Sequence, residues 1–292
     1  MADCERTEGA GCMSLCASGV FIRVFSRVIP WVLCFSVFAF SPPSEAGVWR
    51  MWEKHGDAAG AVSHKKWGDF LSRYVSVRED GLALFDYDGV SPEDKAVLDG
   101  YVAELSAASV RSFSRDEQFA YWVNLYNALT VQLVLDNYPV PSIKKIYTRL
   151  VSIGPWYKKL AVIEGEKISL NDIEHRILRP IWKDPRVHYA INCASIGCPN
   201  LVAAYTVRNT ERLLEEAARA YVNHPRGAEV KGGKLFVSSI YKWFIEDFGD
   251  DDEGVIAHIK KYASPRLLKD LKGINKISGD SYDWDLNDTT GR

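Results

Sequence analysis

Residues 119–135 read FAYWVNLYNALTVQLVL, and they predict the helix around which the fold is organised. Ser114 and Glu117 stand just before this run with the spacing of a capping box, in which two side chains satisfy free N–H groups at a helix start. The sequence Asn137-Tyr138-Pro139 ends the run, because proline cannot continue a helix. A helix that is apolar on all its faces is buried, so we place this one at the centre of the domain.

Three polar residues interrupt this apolar helix: Glu117, Asn124 and Asn127. At about 100° per residue they fall within roughly 80° of one another and form a polar stripe. A buried polar group without a hydrogen bond costs about 1–3 kcal/mol, so each of them needs a partner. We expect Asn124 and Asn127 to hold the turn around residues 192–195. The capping box by itself accounts for Glu117.

The remaining pattern predicts a single helix-rich α+β domain with a small mixed β-sheet. Capping residues and apolar spacing predict further helices over residues 48–74, 92–107, 173–179, 210–222, 241–248 and a last pair ending at Lys272. Pro180 is expected to end the helix over 173–179. Strand patterns cover residues 82–87, a hairpin over 229–238 and an extended segment or strand over 281–287.

The N-terminal residues have the order of a secretory signal. Arg23 and Arg27 precede an apolar run over 28–40, and a helix break and small residues follow up to Ala46. The run is shorter than the roughly 20 residues that span a bilayer. We therefore predict a signal peptide over 1–46, a single domain over 47–292, and a periplasmic or secreted protein. An uncleaved membrane anchor remains the alternative.

The charge balance gives little information about partners. The chain has 36 Lys and Arg against 38 Asp and Glu, a formal net charge of -2. Binding of nucleic acid usually calls for a basic face, so we predict no nucleic-acid partner. We expect an unidentified small molecule or protein as partner, and contact with a membrane only if the leader stays uncleaved.

The segment 184–200, which reads DPRVHYAINCASIGCPN, holds the candidate site. It contains the only two cysteines outside the leader, Cys193 and Cys198. The pattern predicts a short apolar strand that runs into a polar turn. Asn192, Ser195 and Cys198 are expected to support the site at this turn.

The first hypothesis for this segment makes Cys193 a nucleophile. A catalytic thiol needs a lowered pKa, which a neighbouring histidine can supply. His188 lies five residues earlier, and strict strand alternation would point it to the opposite face from Cys193. His175 is therefore an equal candidate for the base. An orienting acid or amide is expected from one of the polar residues of the two neighbouring helices, namely Glu117, Asn124, Asn127 and Glu174.

The second hypothesis makes the two cysteines a structural disulfide. An exported protein meets an oxidising compartment, where a nearby pair tends to be joined. Four residues separate Cys193 from Cys198, a short loop that a disulfide would stabilise by about 2 kcal/mol. The spacing is not the two-residue spacing of thioredoxin-like redox motifs, and the paired spacings of zinc motifs are missing. We therefore predict no metal and no cofactor.

Several motifs resemble one known family. The sequences YWVNLYNALT over 121–130, SLNDIEH over 169–175, DPRVHYAINCAS over 184–195 and YDWDLN over 282–287 are similar to the domain-of-unknown-function family five-four-seven, in its uncharacterised, exported bacterial type. The resemblance covers about residues 67–287. It implies no agreed activity. Relatives that carry this domain beside a glutaredoxin-like or leucine-zipper segment imply a thiol or scaffold context only by association.

Two functions from different classes follow. The leading one is an exported cysteine-dependent hydrolase or transferase, with Cys193 as nucleophile and His188 or His175 as base. The alternative is a non-catalytic binding or scaffold module that a Cys193–Cys198 disulfide stabilises. Whether the protein is an enzyme stays open at this point.

Overall fold

The computed structural model describes residues 49–58, 62–147 and 154–291, and all of these lie within one compact unit, residues 45–292. The predicted signal peptide and its cleavage site fall outside the described residues. Within them, no helix is long and apolar enough to cross a membrane.

Helices are the commonest regular structure, at about 47% of the residues. The α-helices are α1 Lys65–Tyr74, α2 Pro92–Ser106, α3 Arg115–Leu135, α4 Arg179–Trp182, α5 Val187–Ala190, α6 Thr210–Val222, α7 Ile240–Trp243, α8 Asp252–Tyr262 and α9 Pro265–Asp270. A π-helix, Asp172–Leu178, leads into α4. Single 3-10 turns occupy Arg50–Glu53, Val110–Ser112, Ile143–Lys145 and Ile245–Phe248.

The strands are short and form separate small sheets. β1 Val75–Val77 pairs antiparallel with β2 Ala83–Phe85, and β3 Ala161–Ile163 pairs antiparallel with β4 Glu166–Ile168. A three-stranded sheet holds β5 Ala228–Lys231, β6 Lys234–Ser238 and β7 Ile277–Ser281. In it β6 is antiparallel to β5 and parallel to β7, so the sheet is mixed. The α+β class with a small mixed sheet is confirmed.

The helix α3 lies at the centre of the core. Ser114 caps it by accepting a hydrogen bond from the Glu117 N–H, as the capping box predicts. Every residue from Glu117 to Val131 is buried. A helix buried on all sides can pack against several elements at once, and α3 contacts both α2 and the π-helix.

Two predicted helices have different bounds in the structure. The helix expected over 48–74 is broken between the 3-10 turn and α1, because the backbone at Gly56 and Ala58 hydrogen-bonds to Phe113 and Ser112 instead. Pro180 does not end its helix. It stands in the first turn of α4, directly after the π-helix, and the chain stays helical to Trp182.

The prediction of a strand at the start of segment 184–200 is also wrong. Residues 187–190 form the helical turn α5, and the Asp184 carboxylate accepts the Arg186 N–H at 2.8 Å just before it. The alternation that set His188 and Cys193 on opposite faces therefore does not apply. Farther along, the C-terminal strand β7 ends at Ser281, and residues 282–287 run on as an extended segment.

Candidate active site

A cleft of about 270 Å³ brings together half of the predicted site residues. One side is an aromatic wall, which we define as Trp156, Trp243, Tyr282 and Trp284. The other groups that line the cleft include the two thiols, two histidines, one acid and two further rings: Cys193, Cys198, His175, His188, Glu174, Tyr126 and Phe244. Residues from α3, the π-helix, α5, α7 and the C-terminal segment thus meet at one place.

The cysteine turn, residues 192–199, is held from one side by α3. The Asn127 amide accepts the Asn192 N–H at 2.8 Å and donates to the Ala190 carbonyl at 2.9 Å. The Asn192 side chain in turn accepts the Ala194 N–H at 2.7 Å and donates to the Pro199 carbonyl at 2.6 Å. These bonds hold Ala194 at a φ of 59°, a left-handed conformation that costs about 1–3 kcal/mol for a non-glycine residue.

The C-terminal segment holds the cysteine turn from the other side. The N–H groups of Ile196 and Gly197 each donate at 2.8 Å, to the carbonyls of Asp285 and Asp283. A Cβ atom at Gly197 would lie 2.8 Å from the Asp283 carbonyl oxygen and 2.9 Å from the Tyr282 ring. The close approach of the two backbones therefore requires glycine at this position.

The two thiols are in direct contact at the end of the turn. Their Sγ atoms lie 2.6 Å apart, which is longer than the roughly 2.03–2.05 Å of a disulfide, and both cysteines are free. Cys193 is half-buried and Cys198 is buried. The Tyr282 hydroxyl donates to the Cys198 sulfur at 3.0 Å and lies 3.2 Å from the Cys193 sulfur. Ser195 completes the cluster, with its Oγ 2.9 Å from that hydroxyl.

The contact between the sulfurs drives their pKa values apart. The neighbouring Cys198 sulfur, together with burial, raises the pKa of Cys193 well above its ordinary value. Burial by itself would raise the pKa of Cys198 too. Hydrogen bonds from Cys193, the Tyr282 hydroxyl and the Cys193 N–H outweigh it and lower the pKa of Cys198 to about 7. The thiolate form of the pair is therefore favoured on Cys198 rather than on Cys193.

His188 is oriented by an acid that the sequence did not single out. Its Nε2 lies 2.7 Å from Asp247 Oδ2. Burial would raise the pKa of Asp247, but hydrogen bonds from His188 and Arg179 lower it to about 2. Because the carboxylate is ionised, Nε2 must donate. Nδ1 then makes no hydrogen bond in the described part of the chain, and Glu174 Oε1 is 3.9 Å away.

His175 and Glu174 line the same cleft but have different surroundings. The His175 Nδ1 lies 2.9 Å from the Arg179 guanidinium, so this nitrogen accepts. Glu174 is only 8% exposed, and Tyr126 donates to it at 3.4 Å. His188 therefore has the better-defined orientation of the two histidines, since its ring also stacks on Phe244 with centroids 4.3 Å apart.

Two candidates from the polar stripe lie away from the cleft. Asn124 was expected to hold the cysteine turn, but its amide instead pairs with the backbone of Tyr205, accepting at 2.9 Å and donating at 2.7 Å. Glu117 is buried at the start of α3 and does not line the cleft either.

Sequence reasoning missed Asp247 and most of the aromatic wall. Tyr282 and Trp284 belong to the motif over 282–287, which did carry a signal, but their place opposite the cysteine turn did not follow from it. Trp243 lies in a ring-rich segment, and nothing near Asp247 in the sequence marks it as the partner of His188. No group of three or more His, Cys, Asp or Glu in the described ranges could hold a metal ion.

Fold and site together define an α+β domain with a thiol pair and an oriented histidine in one aromatic cleft. Residues 110–222 match the model of the family described as "Protein of unknown function, DUF547", the family that the motifs predicted. The matched residues include α3, both histidines and the cysteine turn. The motif over 282–287 lies beyond them. No curated protein and no solved structure matches the chain.

Proposed function

We propose that the domain is a cysteine-dependent hydrolase or transferase, with Cys193 as nucleophile and His188 as base. The observation that carries the proposal is the meeting, in one cleft, of two thiols in contact and a histidine that Asp247 orients through Nε2. The nucleophilic form of cysteine is the thiolate, and a base held in place by a third group is the general arrangement for covalent catalysis.

The resting charge on Cys198 supports a two-sulfur mechanism. Cys193 is the more exposed sulfur, whereas Cys198 is stabilised as the anion. In the proposed step the Cys193 proton passes to the Cys198 thiolate, and Cys193 then attacks an electrophilic carbonyl. Cys198 returns the proton to the leaving group, and a covalent thioester remains on Cys193.

His188 acts in the second half of the reaction. Its Nδ1 takes a proton from water or from another acyl acceptor. The deprotonated acceptor attacks the thioester and releases Cys193 as a thiolate. The proton then passes from Nδ1 to this thiolate. His188 and Cys193 make no hydrogen bond to each other in the described residues. Catalytic contacts of this kind are often long before substrate binds.

Acylation by an activated ester tests the proposal. Mass spectrometry after mixing with p-nitrophenyl acetate is expected to find one acetyl group, on Cys193, and none in Cys193→Ser. His188→Asn is expected to keep the acetyl group longer than the wild type, since the second step has lost its base. His224→Asn, outside the cleft, serves as the matched control. Absence of a cysteine adduct in the reduced protein would contradict the proposal.

A second candidate is the non-catalytic binding or scaffold module, and the 2.6 Å contact favours it. Loss of two protons and of two electrons to an oxidant, such as a protein disulfide, would join the sulfurs and remove the nucleophile. Titration of free thiols in the native protein, with and without reductant, separates the two. Two reactive thiols without reductant support the enzyme. A stable disulfide whose double serine variant only melts earlier supports the module.

Export remains part of the proposal. The leader pattern over 1–46 supports a periplasmic or secreted domain over 47–292. Sequencing the N-terminus of the mature protein tests it, with a start at Gly47 expected. A mature chain that keeps residues 1–46 would favour the membrane anchor instead.

A further inference from the structure

The cleft combines a buried carboxylate with open aromatic faces, and neither is needed for thiol chemistry. Trp243 is 46% exposed although it is among the largest apolar side chains. Glu174 is buried and lines the cleft. In the described residues Tyr126 donates to it at 3.4 Å, and His188 Nδ1 lies 3.9 Å from its Oε1. A carboxylate has room for several hydrogen bonds, so one with only these long contacts can still accept from a ligand.

The rings of the aromatic wall stand at several angles and form an open cage. Trp156 meets Trp284 at an interplanar angle of 74°, with centroids 5.6 Å apart. Tyr282 is tilted by 53° to Trp284 and by 51° to Trp243, whereas Trp243 and Trp284 stack at 28°. The wall therefore presents ring faces in more than one direction, and a cation is attracted to such faces.

Two rings of the cleft already carry cations from the protein itself. Lys144 Nζ lies 4.7 Å from the centroid of Trp284, and the Arg179 guanidinium lies 4.7 Å from that of Phe244. In the parts of the chain that the structure describes, no such cation lies over Trp156, Trp243 or Tyr282.

The charged residues of the cleft lining favour the same ligand class. Glu174 is the one carboxylate among the described residues that line the cleft, and none of those residues is a lysine or an arginine. A carboxylate attracts a cation at short range. The volume of about 270 Å³ lies at the lower end for ligand pockets and suits a small group.

We propose that the cleft binds a small alkylammonium group, held by Glu174 and the faces of Trp156, Trp243 and Tyr282. The inference rests on the proposed function and names its substrate class: an acyl donor or acceptor that carries an ammonium group. The ammonium group would place the reacting atom beside the thiol pair.

Choline and its neutral isostere, in which carbon replaces the ammonium nitrogen, test the cage directly. Tryptophan fluorescence titration of the mature domain is expected to find choline bound at least about tenfold more tightly than the isostere. Glu174→Gln and Trp243→Leu are each expected to weaken choline binding about tenfold and to leave the isostere unchanged. Glu216→Gln on α6 removes the same charge outside the cleft and is expected to change neither.

Equal binding of choline and the isostere, or unchanged choline binding in Glu174→Gln, would overturn the proposal. Trp243 is exposed, so Trp243→Leu decides the matter if Glu174→Gln fails to fold. Repeating the titration in Cys193→Ser separates this proposal from the proposed function. If choline binds but no acetyl adduct forms, the thiol mechanism is contradicted and the cage is not. If the adduct forms but choline does not bind, the cage is contradicted and the thiol mechanism is not.

Discussion

Asn124 and Asn127 perform the same task at two places, one outside the candidate site and one inside it. Both are fully buried on α3. Each pairs with backbone groups of a loop more than 60 residues farther along the chain, a separation about as long as a small domain. Asn124 holds Tyr205, and Asn127 holds Ala190 and Asn192. The two amides therefore differ only in what their loops carry.

The two loops show that support of a loop and the chemistry of a loop are separate properties. A buried amide on a central helix fixes a loop wherever the loop needs it, so an amide does not mark an active site. The loop at Asn127 carries two thiols in contact, and the loop at Asn124 carries none. The site is thus defined by the cysteine turn, and α3 supplies its support.

Removing either amide is expected to have the largest effect on stability. Asn127→Leu and Asn124→Leu each lose two hydrogen bonds and leave two buried backbone groups unpaired, which is expected to cost about 3 kcal/mol. Urea unfolding measures the loss. Alkylation of Cys198 is expected to change in Asn127→Leu, because the sulfurs lose their alignment, and to stay as in the wild type in Asn124→Leu. Equal alkylation in both variants would break the distinction between the two loops.

Gly197→Ala tests whether the segment 282–287 also holds the cysteine turn in place. The added Cβ would collide with the Asp283 carbonyl and the Tyr282 ring, so we expect a loss of about 2 kcal/mol in the free energy of unfolding. Gly100→Ala in α2 is the control, since a Cβ there meets nothing within 4 Å. It is expected to stabilise the helix by up to about 1 kcal/mol. Two equally stable variants would show that the segment 282–287 does not press on the turn.

Replacement of Asp247 tests the histidine part of the site, and we expect it to have a smaller effect on stability. Its pKa is about 2, below the ordinary 3.8, so its charged form stabilises the fold above pH 4 and that contribution is lost as the pH falls toward 2. The side chain is 25% exposed, and screening leaves roughly 1.5 kcal/mol. Asp247→Asn is expected to lack this part of the acid transition in unfolding experiments. A wild-type curve that is flat between pH 4 and 2 would contradict it.

The sequence predicted the parts of the fold that local rules decide. The capping box and the apolar run gave α3, and Ser91 with Pro92 gave α2, because caps and apolar spacing act within a few residues. The turn α5 was missed because Val187–Ala190 is mostly apolar and only one helical turn long. Such a run does not distinguish strand from helix, and none of the sheets in the described residues includes it.

The site could be predicted only in part, for a similar reason. Cys193, Cys198 and His188 lie close together in one segment, and they do line one cleft. Asp247 contacts His188, and the ring of Trp156 lines the cleft, from other parts of the chain, and no local pattern pairs them with His188 or Cys193. Likewise, the polar stripe of α3 indicated that Asn124 needed a partner, but it did not indicate which loop would provide it.

The pH dependence of thiol alkylation tests the central claim most directly. In the reduced mature domain, the rate of reaction with iodoacetamide is expected to rise with a midpoint near pH 7, the pKa of Cys198. Cys193→Ala removes a hydrogen-bond donor to that sulfur, and the midpoint is expected to move toward the ordinary 9. A wild-type midpoint near 9, or a midpoint that Cys193→Ala leaves in place, would contradict a thiol pair that shares one charge.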